Sequence, residues 1–306
     1  MFSAQPILVT KLRDLDVIRS RDDQTRGEPP FLSSASGLVG FGDSWYVVAD
    51  TELQLATFNK SKPGELIDLI PGHLPVNPRA RKKQKPDFEA LVLIEGSGEL
   101  LVLPSGSKPN RQTACVYSLT NRDIFTFSVA PLYESLGNKF GELNIEGAAS
   151  VGDEFILAQR GNAAHSVNAL VRLEKQSALE ELHSKKELTA KSLLDCVVLD
   201  LGMIEQVKLS ITDLCPNPKG GLFFLAAAEQ TDSAYEDGEF VGAVIGRLSL
   251  QGEVLSCARL ECPHKPEGLS LDPDVSATSF VVVTDADDPL IPSSLYRGDL
   301  ASLLTR

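Results

Sequence analysis

The chain has 306 residues, 42% of them hydrophobic, and a formal net charge of −13 at pH 7. That is enough apolar sequence for one large core, and the acidic surplus repels polyanions, which argues against nucleic acid or an anionic membrane surface as a partner. The five cysteines form no CxxC pair, so neither a disulfide framework nor a zinc knuckle is indicated.

The N-terminus, Met1-Phe2-Ser3-Ala4-Gln5-Pro6, lacks the basic and apolar segments of a secretory signal. A cytoplasmic location is expected, although an exported chain freed of its signal would share this feature. No stretch approaches the ~20 apolar residues of a membrane span. From Pro6 to Leu12 an apolar run reads as a strand with no partner nearby in sequence.

Five copies of one pattern follow. Ser36-Gly37-Leu38, Glu89-Ala90-Leu91, Glu146-Gly147-Ala148, Thr212-Asp213-Leu214 and Glu267-Gly268-Leu269 each open a short apolar run. Each run leads through a turn, such as Gly42-Asp43 or Gly152-Asp153, into a second strand and then a third. A fourth strand is predicted around Glu65 to Ile70, Ile124 to Val129, Cys196 to Leu201 and Glu253 to Leu260. The last copy lacks one, and the strand from Pro6 to Leu12 would complete it beside Leu295. The expected fold is therefore all-β, a single β-propeller domain over residues 1–306 with five blades, closed by its N-terminal strand.

The copies recur about every 53 to 67 residues, beyond the ~40–50 of compact propeller repeats. Part of the excess is the segment 174–194, whose Ala and Leu fall at helical spacing and predict an inserted helix. Six blades are the alternative, with a degenerate copy hidden between Glu174 and Ser210. Pro71 to Lys85 reads as a solvated loop carrying Arg79, Arg81, Lys82, Lys83 and Lys85, or as a holder of an anionic substrate group.

The first strand of each blade is innermost in a propeller, so equivalent starts converge on one channel mouth. Glu89, Glu146, Asp213 and Glu267 are thereby expected to form an acidic ring. Such a ring needs protonation or a cation, and hard oxygen ligands suit Ca²⁺, with Mg²⁺ or Mn²⁺ as alternatives. The competing expectation is that each Glu caps backbone N–H groups and ties the blades together. A second layer of candidates lies at the ends of the second strands: Asp50, Arg160-Gly161-Asn162, Glu229 and Asp285. Arg160 offers a fork for a carboxylate or phosphate oxygen, while His165 and His264, in loops, are candidate general acids or bases. No GxSxG, P-loop, HExxH or dinucleotide fingerprint occurs in context.

Aligned in this way, Lys85 to Leu91, Asn144 to Ala148, Lys265 to Leu269, Asp50, Asp285 and Gln159 to Asn162 resemble the esterase-like phytase and gluconolactonase–paraoxonase superfamily of calcium-dependent β-propellers. The resemblance implies a channel metal on Glu89, Glu146, Asp213 and Glu267, with Lys85, Arg160, Asn162 and Lys265 binding substrate and Glu146, Arg160 and His264 acting in catalysis. The implied activity is hydrolysis of a small phosphoester, carboxylic ester or lactone. The alternative is a non-catalytic propeller that binds a ligand or protein, since one fold hosts many functions. Those relatives usually have six blades, and Ser36 departs from their acidic pattern.

Overall fold

The computed structural model describes residues 5–59, 62–161, 167–230 and 238–304. Two N-terminal strands, β1 (Ile7–Leu8) and β2 (Thr10–Asp14), precede a short helix α1 (Arg21–Arg26) and the first blade, β3 (Ala35–Phe41), β4 (Ser44–Ala49), β5 (Gln54–Asn59) and β6 (Glu65–Asp68). Helix α2 (Pro78–Gln84) leads to the second blade, β7 (Phe88–Ile94), β8 (Glu99–Pro104), β9 (Thr113–Ser118) and β10 (Ile124–Ser128). After α3 (Ala130–Phe140) comes the third blade, β11 (Ile145–Val151), β12 (Glu154–Gln159) and β13 (Asn168–Glu174), which α4 (Lys175–Lys185) separates from its outer strand β14 (Leu193–Leu199). A short strand β15 (Met203–Ile204) precedes the fourth blade, β16 (Val207–Pro216), β17 (Leu222–Gln230), β18 (Glu239–Leu248) and β19 (Val254–Glu261). The fifth blade has β20 (Lys265–Leu271), β21 (Ser279–Asp285) and β22 (Ser294–Asp299), followed by α5 (Ala301–Leu304).

The protein is a five-bladed β-propeller, with one antiparallel sheet per blade and the innermost strands β3, β7, β11, β16 and β20 adjacent around the channel. The ring closes as its sequence predicts. β2 pairs with β22, Lys11 opposite Tyr296 and Arg13 opposite Leu295. A second latch accompanies it, because β1 runs parallel to β19 and ties the N-terminus to the fourth blade as well. The segment between Glu174 and Ser210 holds α4, a 3₁₀ turn, β14 and β15, not a sixth blade.

Apolar packing explains why many strands are apolar without alternation. Each blade is covered on both faces by its neighbours, so Phe280, Val281, Val282 and Val283 of β21 are all buried. Every junction between consecutive blades has its own apolar cluster. One of these joins Val281, Val283 and Leu295 of the fifth blade to Leu38 and Val47 of the first. Burial of each such side chain contributes about 1.5–3 kcal/mol.

Two elements differ from expectation. Within Pro71 to Lys85, residues Pro78–Gln84 form α2, with Asn77 accepting the Ala80 N–H and a proline in the first turn. α3 was not legible as a separate element; it buries Leu132, Tyr133 and Leu136 against the junction of the second and third blades. No helix among the described residues is long and apolar enough to cross a membrane.

Candidate functional site

Every innermost strand carries a register shift at its start. The pairing skips Glu89 between Phe88 and Ala90, Glu146 between Ile145 and Gly147, Thr212 between Ile211 and Asp213, and Glu267 between Pro266 and Gly268. In β3 the skip spans Ser36 and Gly37. A bulge adds a residue to one strand and re-aims its side chain. The repeated motif is therefore a repeated bulge, and its five members are Ser36, Glu89, Glu146, Thr212 and Glu267.

This register moves Asp213 off the ring. It stands one place beyond the bulge, where the other copies have Gly37, Ala90, Gly147 and Gly268. A Cβ on Gly147 would lie 2.6 Å from Asp213 Cα, and one on Gly268 would lie 2.6 Å from Ser36 O. These positions pack directly against the neighbouring inner strand. In the fourth blade the Asp213 carboxylate fills the space, and its Oδ2 accepts the Leu269 N–H at 2.7 Å. Asp213 thus binds one blade to the next, the capping role weighed for the glutamates.

The three ring glutamates line one cavity of about 440 Å³ at the channel mouth. It is also lined by Ser36, Asp50, Lys85, Asp87, Arg111, Arg160, Lys265 and Asp285, and walled by α2 and the loop through Leu290. His264 is not among the lining residues. Asn162 and His165 lie outside the described residues.

Charges within the ring are largely balanced by the chain's own cations. Lys85 Nζ contacts Asp50 and lies 2.7 Å from Asp87 Oδ1, while Arg111 Nη1 donates to Asp87 Oδ2 at 2.6 Å. Across the channel, Arg160 lies 3.2 Å from Glu146 Oε2 and contacts Glu229. Lys265 Nζ lies 2.9 Å from Glu229, 3.0 Å from Glu267 and 3.1 Å from Asp287. Asn144 Nδ2 donates to Glu146 Oε1 at 2.5 Å. Lys85 joins Asp87, just before β7, to Asp50, just past β4 of the preceding blade, and Lys265 joins Glu267 of β20 to Glu229 of β17 in the preceding blade. Arg81 of α2 contacts Glu28, fixing the cavity wall. Arg111 and Ser105 had no signal in the repeat pattern; only the fold brings them to Asp87.

Glu89 is the exception. It is 8% exposed and makes no hydrogen bond or ion pair among the described residues. Burial, then the charges of Glu146, Asp87 and Asp50, hold its carboxyl well above the ordinary range. One oxygen from each of Asp50, Asp87 and Glu89 falls within a group spanning at most 4.8 Å. Asp50 Oδ1 also has no hydrogen-bond partner, and Asp87 takes the left-handed φ of 63°, a conformation that aspartate tolerates better than most residues. Glu267 is likewise raised well above the ordinary range, mainly by burial, although Lys265 and Arg160 oppose the shift. Glu146 is also raised, with burial again the main cause and Arg160 opposing it.

Asp285 is pushed up to about 8, chiefly by burial and then by Asp287 and Asp50 against the pull of Lys265. An acid with a raised folded-state pKa keeps a proton that the unfolded chain has released, so folding weakens as pH rises between the two values. With cation excluded, stability is expected to fall between pH 5 and pH 8, read as a declining urea midpoint. A flat profile across that interval would contradict these burial effects.

Comparison with known proteins bears on the fold. The chain is similar to the glutaminyl cyclase of Myxococcus xanthus, at 11% identity over 96% of this chain and 99% of that one, with a TM-score of 0.52. It is also similar to an arabinanase of Bacillus subtilis, at 13% identity over 90% and 97% of the two chains, TM-score 0.44. A streptogramin B lyase matches at 9% identity over 94% and 97%, TM-score 0.41. At such identities the likeness to the cyclase shows the fold alone. No curated protein matches the sequence. A family of unknown function, DUF6929, matches residues 31–300.

Proposed function

The chain belongs to the DUF6929 family, and we propose that its channel-mouth cavity is a hydrolytic site for a small phosphoester, carboxylic ester or lactone, assisted by a divalent cation at Asp50, Asp87 and Glu89. The observation that carries this reading is Glu89, a buried carboxyl with no partner among the described residues, opening on the cavity beside two further acids. The donors are all carboxylate oxygens, which suits Ca²⁺ first and Mg²⁺ or Mn²⁺ next. Lys85 already holds Asp50 and Asp87, so the oxygens available are those of Glu89 and Oδ1 of Asp50, with Asp87 shared. A cation bound there would supply Lewis acidity and a more acidic water.

The chain's own residues supply the remaining chemistry. Glu146, held by Asn144 and Arg160 and raised from its ordinary range chiefly by burial, is the carboxylate placed to take a proton from water. Arg160 and Lys265 line the same space and offer donors to an anionic oxygen of the substrate. Neither histidine nor cysteine lines the cavity among the described residues, which leaves carboxyl groups as its acid–base catalysts.

The test is a panel of phosphoesters, aryl esters and lactones assayed with Ca²⁺, Mn²⁺ or EDTA. Turnover is expected only with cation, and Glu146→Gln is expected to lower kcat by about 10²–10⁴-fold while leaving cation binding in place. Turnover unaffected by EDTA, or by Glu146→Gln, would refute the assignment.

A further inference from the structure

The cavity lining is chemically divided. The inner strands contribute its buried charged groups, whereas the rim on the first-blade side carries an apolar strip of Pro29, Val76, Pro78, Pro289 and Leu290. Three segments supply the strip: the stretch before β3, the stretch entering α2 and the loop after β21. Arg81 joins the first two, donating to the Pro75 carbonyl at 3.0 Å and contacting Glu28. The Ser293 N–H, which donates to the Leu32 carbonyl at 2.7 Å, joins the first to the third.

The strip is not consumed by the fold. Val76 precedes the N-cap of α2, where an apolar residue often packs on the fourth helical residue. Here that residue is Arg81, engaged with Glu28, and Val76 stays 46% exposed. Pro289 and Leu290 are the centre of a turn closed by the Ile291 N–H on the Asp288 carbonyl at 3.0 Å, and the Leu290 N–H also donates to Asp288 Oδ1 at 2.9 Å. The backbone thereby holds Leu290 82% exposed at a position where turns ordinarily place polar residues. Single exposed apolar residues need no explanation, but several bordering one concave site mark a binding surface. A phosphate or acetyl group occupies only part of a cavity of about 440 Å³, so a ligand reacting at the acids has room to extend along the strip.

We propose that this strip binds an apolar chain of the cavity's ligand, which narrows the substrate class to a carboxylic ester or lactone bearing an alkyl or aryl substituent; this rests on reading the cavity as the functional site. The occupant is the ligand because the strip is continuous with the cavity and its side chains, drawn from three segments, all line that one space. Covering Val76 and Leu290 removes apolar surface from water. A polyhydroxylated phosphoester is disfavoured, since its hydroxyls would meet side chains that offer them no hydrogen bond.

The test is ligand-observed NMR titration of the full chain in EDTA with acetamide, butyramide and hexanamide, neutral probes that differ only in chain length. Hexanamide is expected to bind saturably and at least tenfold more tightly than acetamide. Leu290→Ser and Val76→Ser, both at exposed positions, should each reduce that ratio, whereas Val275→Ser, exposed but outside the cavity lining, should leave it unchanged. Equal affinities for the three amides, absence of saturable hexanamide binding, or a ratio indifferent to both rim substitutions would overturn the proposal. So would a wild-type dimer that Leu290→Ser dissociates, which would assign the strip to a second copy of the chain. Neither metal nor turnover enters the measurement, so its failure is distinct from failure of the hydrolase assignment.

Discussion

Replacing Arg160 by alanine is expected to destabilise the protein by about 3–5 kcal/mol, the cost of breaking a buried ion pair from one side. Arg160 is 5% exposed and joins Glu146 of its own blade to Glu229 of the next. Its removal leaves the Glu146 and Glu229 carboxylates buried without the guanidinium that joined them, with Lys265 Nζ beside Glu229. The loss should be largest near pH 8 and shrink toward pH 5, because protonation can silence the abandoned acids. Urea unfolding of the wild type and Arg160→Ala at both pH values measures it. A difference below 1 kcal/mol at pH 8 would show that the arginine only decorates the channel.

Removing residues 1–15 is expected to have a still larger effect, abolishing cooperative unfolding. β2 completes the fifth blade against β22, and β1 adds a parallel edge to the fourth. Without them two open edges remain, along with the gap left by the buried Ile7 and Leu15. Open edges invite pairing with other chains, so the truncated chain should aggregate or melt broadly in calorimetry. A sharp transition at the wild-type temperature would mean that the ring holds through its inter-blade cores alone.

The propeller was legible in the sequence because each blade repeats the same local order of bulge, turn and apolar strands, and because the last copy lacked the strand that Pro6 to Leu12 could provide. Glu89, Glu146 and Glu267 were legible for the same reason, as residues at one register position. Asp213 shows where that logic needs structure. The sequence contains an acid within the fourth copy, but a bulge turns one residue's displacement into a different direction, and Asp213 points to a backbone N–H of the next blade. The cations were harder to assign. Lys85 and Lys265 share a Lys-Pro frame, yet their partners Asp50 and Glu229 come from other blades, and Arg111 reaches Asp87 across a long loop. Such pairings depend on how blades abut, which no single repeat encodes. Ser36 was visible in the sequence as the member that breaks the acidic pattern.

A cation-assisted site organised around Glu89 is the proposal on which the assigned chemistry depends. The most direct measurement is the melting temperature of wild type and Glu89→Gln in EDTA and in saturating Ca²⁺ or Mn²⁺. Ligand present at about 100 times its dissociation constant stabilises a native state by about 2.7 kcal/mol, so the wild type should melt several degrees higher with cation. Glu89→Gln should melt at or above the wild-type temperature in EDTA, having lost a repelled buried acid, and should gain little from cation. Identical melting with and without cation, or an undiminished rise in Glu89→Gln, would contradict the claim.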